Sequence, residues 1–282
     1  ETFVTLTPSG PAPRPGNTGP AVNPAETTRV VEFNDIPALE RALAAGDVAC
    51  VLAEPAMTNI GIILPDPGFH DALRDLTRRA GTVLIIDETH TICTGPGGYT
   101  AAHGLSPDML TLGKPIGSGV PGAAYGLSAD LAVRVRDAIR TDESDTGGIG
   151  GTLAGNALSL AAMRATLGEV LTAAAFARSI PLAERWAQGV QQVITGVGLP
   201  WIVQRLGCRA EYWFRAAAPR NGGEAAAAVD PLLDRYMHLA ALNRGILLTP
   251  FHNMALIAPD VTEADIDRHT AVFRESVEAL MS

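Results

Sequence analysis

Lysine is all but missing from this 282-residue chain. Of 21 basic residues counted as Lys plus Arg, Lys114 is the single lysine and the other 20 are arginines. Positive charge is short as a whole, since 30 acidic residues leave a formal net charge of -9 and a pI near 5.1. That balance argues against a nucleic-acid partner, because binding a polyphosphate needs a basic face. Cysteine is scarce too. Cys50, Cys93 and Cys208 are odd in number and widely spaced, so they build neither a disulfide framework nor a zinc ligand set, and a reducing cytoplasm is the expected location. No apolar run reaches 18 residues and no signal peptide is recognisable, so no membrane partner is expected. No internal repeat is visible. The length suffices for a large core and for two domains.

What remains gains weight from these shortages. A chain that uses Arg wherever a plain positive charge serves has kept one amine in Thr111-Leu112-Gly113-Lys114-Pro115-Ile116-Gly117. A guanidinium stays protonated and cannot attack a carbonyl, whereas a desolvated lysine can lose its proton and form an imine. Taken alone, a single lysine is equally a solvated surface residue. Its surroundings point the other way. Asp87 lies 27 residues upstream, at the end of Thr82-Val83-Leu84-Ile85-Ile86, an apolar, β-branched run that predicts a strand buried on both faces of a parallel sheet. A carboxylate just past such a strand faces the crevice where open α/β sheets bind ligands, although Asp is also a favoured helix cap. Pyridoxal phosphate needs a lysine for its aldehyde and an acid for its ring nitrogen. Lys114 and Asp87 suit those two roles.

The residues Glu54-Pro55, Asn59, Gly61, Pro65, Gly68, Leu73-Arg74, Leu84-Ile85-Ile86-Asp87-Glu88, Gly97-Gly98, Pro107-Asp108, Leu112-Gly113-Lys114, Gly117, Gly119 and Pro121 together resemble the class III, fold type I pyridoxal-phosphate aminotransferases. The likeness covers nearly the whole chain and is nearest to the branch of glutamate-1-semialdehyde aminomutase and the β-amino-acid and amine transaminases. It implies an α/β large domain with a mostly parallel sheet, followed by a small C-terminal α+β domain, in a homodimer with its active site at the interface. The expected division is a mobile Pro/Gly-rich loop over residues 1–20, a partial cofactor-binding domain over 21–170 and the small domain over 171–282. Members of the family carry further upstream a substrate-entry segment, a phosphate-cradling turn and a ring-stacking aromatic, so the chain resembles the C-terminal two-thirds of a longer enzyme.

By the same resemblance, Lys114 holds the cofactor and moves the substrate proton, and Asp87 pairs with the ring nitrogen. Thr89 stands where relatives have a Val packed on the ring, and its hydroxyl could instead bond the phenolic oxygen or a backbone group. Glu88, the second acid, is open to either a structural or a functional role. His90 and His103 read as supporting residues, whereas His252, in Thr249-Pro250-Phe251-His252-Asn253, is the better candidate for lining the substrate pocket, with Asn253 beside it. The stretch Gly147-Gly148-Ile149-Gly150-Gly151-Thr152-Leu153-Ala154-Gly155-Asn156 resembles the family segment whose Thr reaches the phosphate of the partner subunit's cofactor, a role that falls to Thr152. A flexible loop with a Thr cap is the plainer alternative. Residues 91–95 and 247–258 contain no Arg, which disfavours capture of an α-carboxylate from either place. The expected reaction is amino transfer between an amine or amino acid, with a β-amino acid or amine favoured, and a keto acid or aldehyde. The alternatives are a glutamate-1-semialdehyde-type aminomutase and a catalytically incomplete chain acting as a binding or assembly partner.

The pattern along the chain predicts alternating elements. Helices are expected over residues 37–45, 69–79, 155–169, 176–197, 230–243 and 263–281. Strands are expected over 49–52, 82–86, 109–112, 123–127, 201–203, 211–214, 246–248 and 254–257, the earlier ones joined as parallel βαβ units.

Overall fold

The computed structural model describes residues 4–13, 24–140 and 152–282. Near its start the expected mobile loop is corrected in part: β1 (Val4–Thr7) and β2 (Gly10–Pro13) pair antiparallel across a two-residue turn. Pro11 and Pro13 face Leu6 and Val4, while Thr7 faces Gly10 across the turn. In such a ladder alternate pairs exchange no hydrogen bonds, so both prolines fall where the missing N–H costs nothing.

Asp35 caps α1 (Ile36–Leu43) by accepting from the Ala38 N–H at 2.9 Å. The strand β3 (Cys50–Ala53) leads through α2 (Phe69–Ala80) to β4 (Val83–Asp87). Phe69, Leu73 and Leu76 recur at helical spacing and give α2 its buried face. After α3 (Gly98–His103) comes β5 (Met109–Leu112), and β3, β4 and β5 are parallel neighbours. The parallel expectation fails at β6 (Ala124–Leu127), which runs antiparallel to β5. The residues between these two strands hold only a short 3-10 turn, Lys114–Gly117, and a parallel return needs a crossover of a dozen or more residues.

Next come α4 (Ala129–Arg140) and α5 (Ala157–Ala165), the latter running into a π-turn at Thr166–Val170. The 25-residue α6 (Ala173–Val197) follows, with Pro181 in its interior. Then β7 (Ile202–Leu206), β8 (Arg209–Trp213), α7 (Gly222–Ala226), α8 (Pro231–Leu242), β9 (Met254–Leu256) and α9 (Glu263–Met281) complete the chain. The strands β7, β8 and β9 form an antiparallel sheet with β8 in the centre. The strand expected at 246–248 does not form. Its Ile246 N–H is held by the Ala241 carbonyl of the α8 terminus at 2.9 Å, and Leu247 is exposed.

One core is built on α6, α8, α9 and the antiparallel sheet around Trp186, Tyr212 and Phe273. A second joins α1, α2 and the parallel sheet, and Trp213 of β8 belongs to it. Gly61 lies against that indole: a Cβ there would sit 2.2 Å from the ring, so no other residue fits. Among the described residues no single helix is long and apolar enough to cross a membrane, and the pair Ala157–Val170 and Ala173–Val197, which passes by length and composition only together, is bent by 68°.

Candidate active site

Parallel pairing brings the two expected groups to one edge. Asp87 ends β4 opposite Thr111 of β5, and the next residue, Glu88, donates its N–H to the Thr111 carbonyl at 2.8 Å. Lys114 follows Thr111 by three residues, so acid and amine leave the C-terminal ends of adjacent strands. Lys114 also adopts φ +43°, a left-handed conformation shared by only three other non-glycine residues among those described. Backbone in this region costs on the order of 1 kcal/mol or more and persists where the surroundings hold it.

Lys114 and Thr89 open into a cavity of about 550 Å³ between the strand ends, α6 and the 249–259 segment, with His90, Arg209 and His252 also in its wall. Asp87 does not itself line it. One Asp87 oxygen accepts the Thr89 N–H at 2.8 Å, and no ion pair engages its carboxylate among the described residues, so a second oxygen is free for a ring nitrogen. An amine in a roomy cavity, with an unpaired carboxylate on the next strand, fits pyridoxal phosphate. For the phosphate these residues provide no obvious cradle.

The chain matches the family model described as aminotransferase class-III over residues 16–270. It belongs to the class-III aminotransferases. These are pyridoxal-phosphate-dependent enzymes. The chain is 36% identical over 271 residues to the glutamate-1-semialdehyde 2,1-aminomutase of Sorangium cellulosum, a match covering 94% of this chain and 60% of that protein. It superposes on a glutamate-1-semialdehyde aminomutase of Pseudomonas aeruginosa, solved in complex with PMP, with a TM-score of 0.94 and 49% identity over 98% of this chain and 62% of the other. An omega-transaminase of Sphaerobacter thermophilus gives 0.82 and 26%, covering 99% and 64%. The chain therefore spans about three-fifths of the length of the class-III relatives it matches.

Within this class-III site the remaining expected residues separate. His252 lines the cavity, its Nδ1 3.2 Å from Glu211 Oε1. Asn253 does not. Its side chain turns to Asp234, donating to Oδ1 at 2.8 Å, because β9 begins at the next residue and alternation points neighbours apart. Thr152 is exposed and outside the cavity, and residues 147–151 lie outside those described. Glu88 is buried and structural, bonding the Thr91 hydroxyl and the N–H groups of Tyr99 and Thr100. His103 stacks on Tyr99 with ring centroids 3.9 Å apart and is absent from the cavity wall.

His90 is more involved than its sequence suggests. Its Nδ1 lies 2.6 Å from the buried Thr58 hydroxyl, which in turn donates to Glu54. Thr58 has one hydrogen to give, so its oxygen accepts from His90 Nδ1–H, and Nε2 is left as a bare acceptor. Burial pushes His90 down to about 4, helped by the positive charges of Arg209 and Lys114, so the ring is neutral at ordinary pH. Burial likewise raises Glu54, against the pull of the Thr58 bond. Cys93 and Cys208 also face the cavity, but burial holds their thiols up at about 11 and about 12, far from reactive thiolates. Sequence reasoning missed Arg209. It lies two residues ahead of the strand expected at 211–214, and its burial at the start of β8 is a property of the fold.

Proposed function

We propose that this chain is the lysine-bearing part of a pyridoxal-phosphate enzyme that shifts an amino group by moving a proton at Lys114. The observation that carries the reading is the juxtaposition of Lys114 and Asp87 at the ends of adjacent parallel strands, with the amine opening into the cavity. Bound pyridoxal phosphate would supply an electron sink for the charge left when a substrate C–H is broken. Lys114 Nζ would hold the cofactor, then take a proton from the substrate carbon and return it at the neighbouring position. Asp87 would keep the ring nitrogen protonated, its other oxygen steadied by the Thr89 N–H. Neutral His90, fixed by Thr58, would accept a hydrogen bond without adding positive charge next to Lys114. Thr152, exposed ahead of α5, would contribute to the phosphate of the partner subunit's cofactor in a dimer.

Of the two forms of amino transfer, we favour the aminomutase, which returns the amino group to the same carbon skeleton. Support comes from relatives at 36% and 49% identity that are glutamate-1-semialdehyde aminomutases. This reverses the preference drawn from the missing arginines. The second reading, transamination of a β-amino acid or amine, rests on the 26% likeness to an omega-transaminase and to a β-phenylalanine aminotransferase of Variovorax paradoxus.

Borohydride reduction of the cofactor-loaded protein tests the reading directly. With one lysine in the chain, a cofactor-sized mass should appear on the peptide holding Lys114. A label confined to the terminal amine, or none, refutes it. Turnover of glutamate 1-semialdehyde without an added amino acceptor would then separate mutase from transaminase.

A further inference from the structure

The arginine in the cavity wall has no counter-ion. Arg209 opens β8, immediately after the Gly207-Cys208 turn, and is 4% exposed. Its Nη1 reaches the Thr58 carbonyl at a long 3.3 Å, and its Nε has no hydrogen-bond partner. No carboxylate lies within ion-pair distance of the guanidinium among the described residues. Two acids are near, neither at ion-pair distance: Glu54 accepts from Thr58, and Glu211, two residues along the same face of β8, gives Oε1 to His252 while its Oε2 has no hydrogen-bond partner. Neither lines the cavity, whereas Arg209 does. Removing a guanidinium from water without a partner is costly, and buried charges are as a rule paired or hydrogen-bonded.

The rest of the wall fits an anion at this point. His90 and Lys114 share the cavity with Arg209 and contribute no negative charge. The wall is otherwise mostly apolar, with Phe176 and Ile257 among its residues, so a charge held there would be shielded from water. A planar fork suits a carboxylate, which accepts two parallel N–H bonds.

Resting on the proposed cofactor site, we propose that Arg209 is the carboxylate receptor of the substrate pocket and that the substrate is an acid bearing its amine or carbonyl within cavity reach of Lys114. A simple amine lacking a carboxylate would leave the buried guanidinium unpaired and is disfavoured. The missing arginines of residues 91–95 and 247–258 are thereby replaced from β8, a place the linear sequence does not connect to the site. Selectivity for an acid follows from the fork rather than from shape.

The test is equilibrium binding of glutarate, an acid with no amine to react, measured by calorimetry on the cofactor-loaded protein and on the cofactor-free protein. Arg209→Gln should weaken glutarate roughly tenfold to a hundredfold, with pyridoxal phosphate affinity unchanged. Arg209→Lys, which keeps the charge and loses the fork, should fall between the two. If Arg209→Gln fails to fold, the Lys variant decides: weakened glutarate binding supports the proposal and unchanged binding overturns it. Wild-type protein that takes up cofactor on Lys114 yet does not bind glutarate overturns it as well. A variant that loses cofactor affinity but keeps glutarate affinity also overturns it, since Arg209 would then serve the cofactor phosphate. Failure of the cofactor reading is distinct, because it shows as absence of the label on Lys114 while glutarate binding to the cofactor-free protein is still measured.

Discussion

His269 offers a measurement of how the α6–α9 core responds to acid. Its ring is 6% exposed, lies between Trp186 (centroids 5.0 Å) and Phe273 (6.2 Å, nearly parallel), and leaves Nδ1 without a partner. Burial lowers its pKa from 6.5 to about 4. Between those values the unfolded chain binds a proton that the folded chain refuses, so unfolding becomes easier as pH falls from 6.5 and the effect levels off below 4. At about 1.36 kcal/mol per pH unit, the depression corresponds to at most roughly 3 kcal/mol. Substituting His269→Phe keeps a planar ring in the stack and removes the titrating group. Near pH 7.5 its stability should be within about 1.5 kcal/mol of wild type. Near pH 4 it should be more resistant than wild type by roughly 2–3 kcal/mol relative to that baseline. Urea titrations at a series of pH values read both numbers. Equal acid sensitivity in variant and wild type would refute the reasoning, since the other histidines lowered by burial, His90 and His70, would then carry the histidine contribution.

Asp87→Asn should keep the cofactor on Lys114, because the amide oxygen can still accept the Thr89 N–H, while turnover falls roughly 10²- to 10³-fold through loss of the charge beside the ring nitrogen. A rate close to wild type in single-turnover kinetics would reduce Asp87 to a turn-forming residue. Gly207→Ala places a Cβ 2.3 Å from the Cys93 carbonyl oxygen and 2.5 Å from Thr94 Cα, at φ +57°. Both neighbours are backbone and cannot rotate away, so the loss should be roughly 2 kcal/mol or more, visible as a lower Tm. An unchanged melting curve would show that the turn shifts freely.

Local pattern determined much of this protein. Leu84-Ile85-Ile86 was legible as a strand, although only the Leu84 and Ile86 face is buried and Ile85 is half-buried, not both faces as expected; the spacing of Phe69, Leu73 and Leu76 made α2 amphipathic, and the Thr262 capping box with Asp265 set the start of α9 at Glu263. The chemistry of Lys114 and Asp87 was legible for the same reason, because an imine-forming amine and an acid at a strand end are properties of residue type and near neighbours. Tertiary structure decided what depends on contacts between distant segments. Whether Ile246-Leu247-Leu248 became a strand turned on whether a sheet edge was there to receive it, and the Pro11 and Pro13 hairpin turned on the register of its partner. Arg209 lies 95 residues beyond Lys114, and only the packing of the β7–β8 turn on the 91–94 segment, through the 3.0 Å bond from Cys208 N–H to the Cys93 carbonyl, brings it to the cavity. A charge acquires meaning from what surrounds it, and for Arg209 that is buried surface without a counter-ion, which no linear spacing encodes.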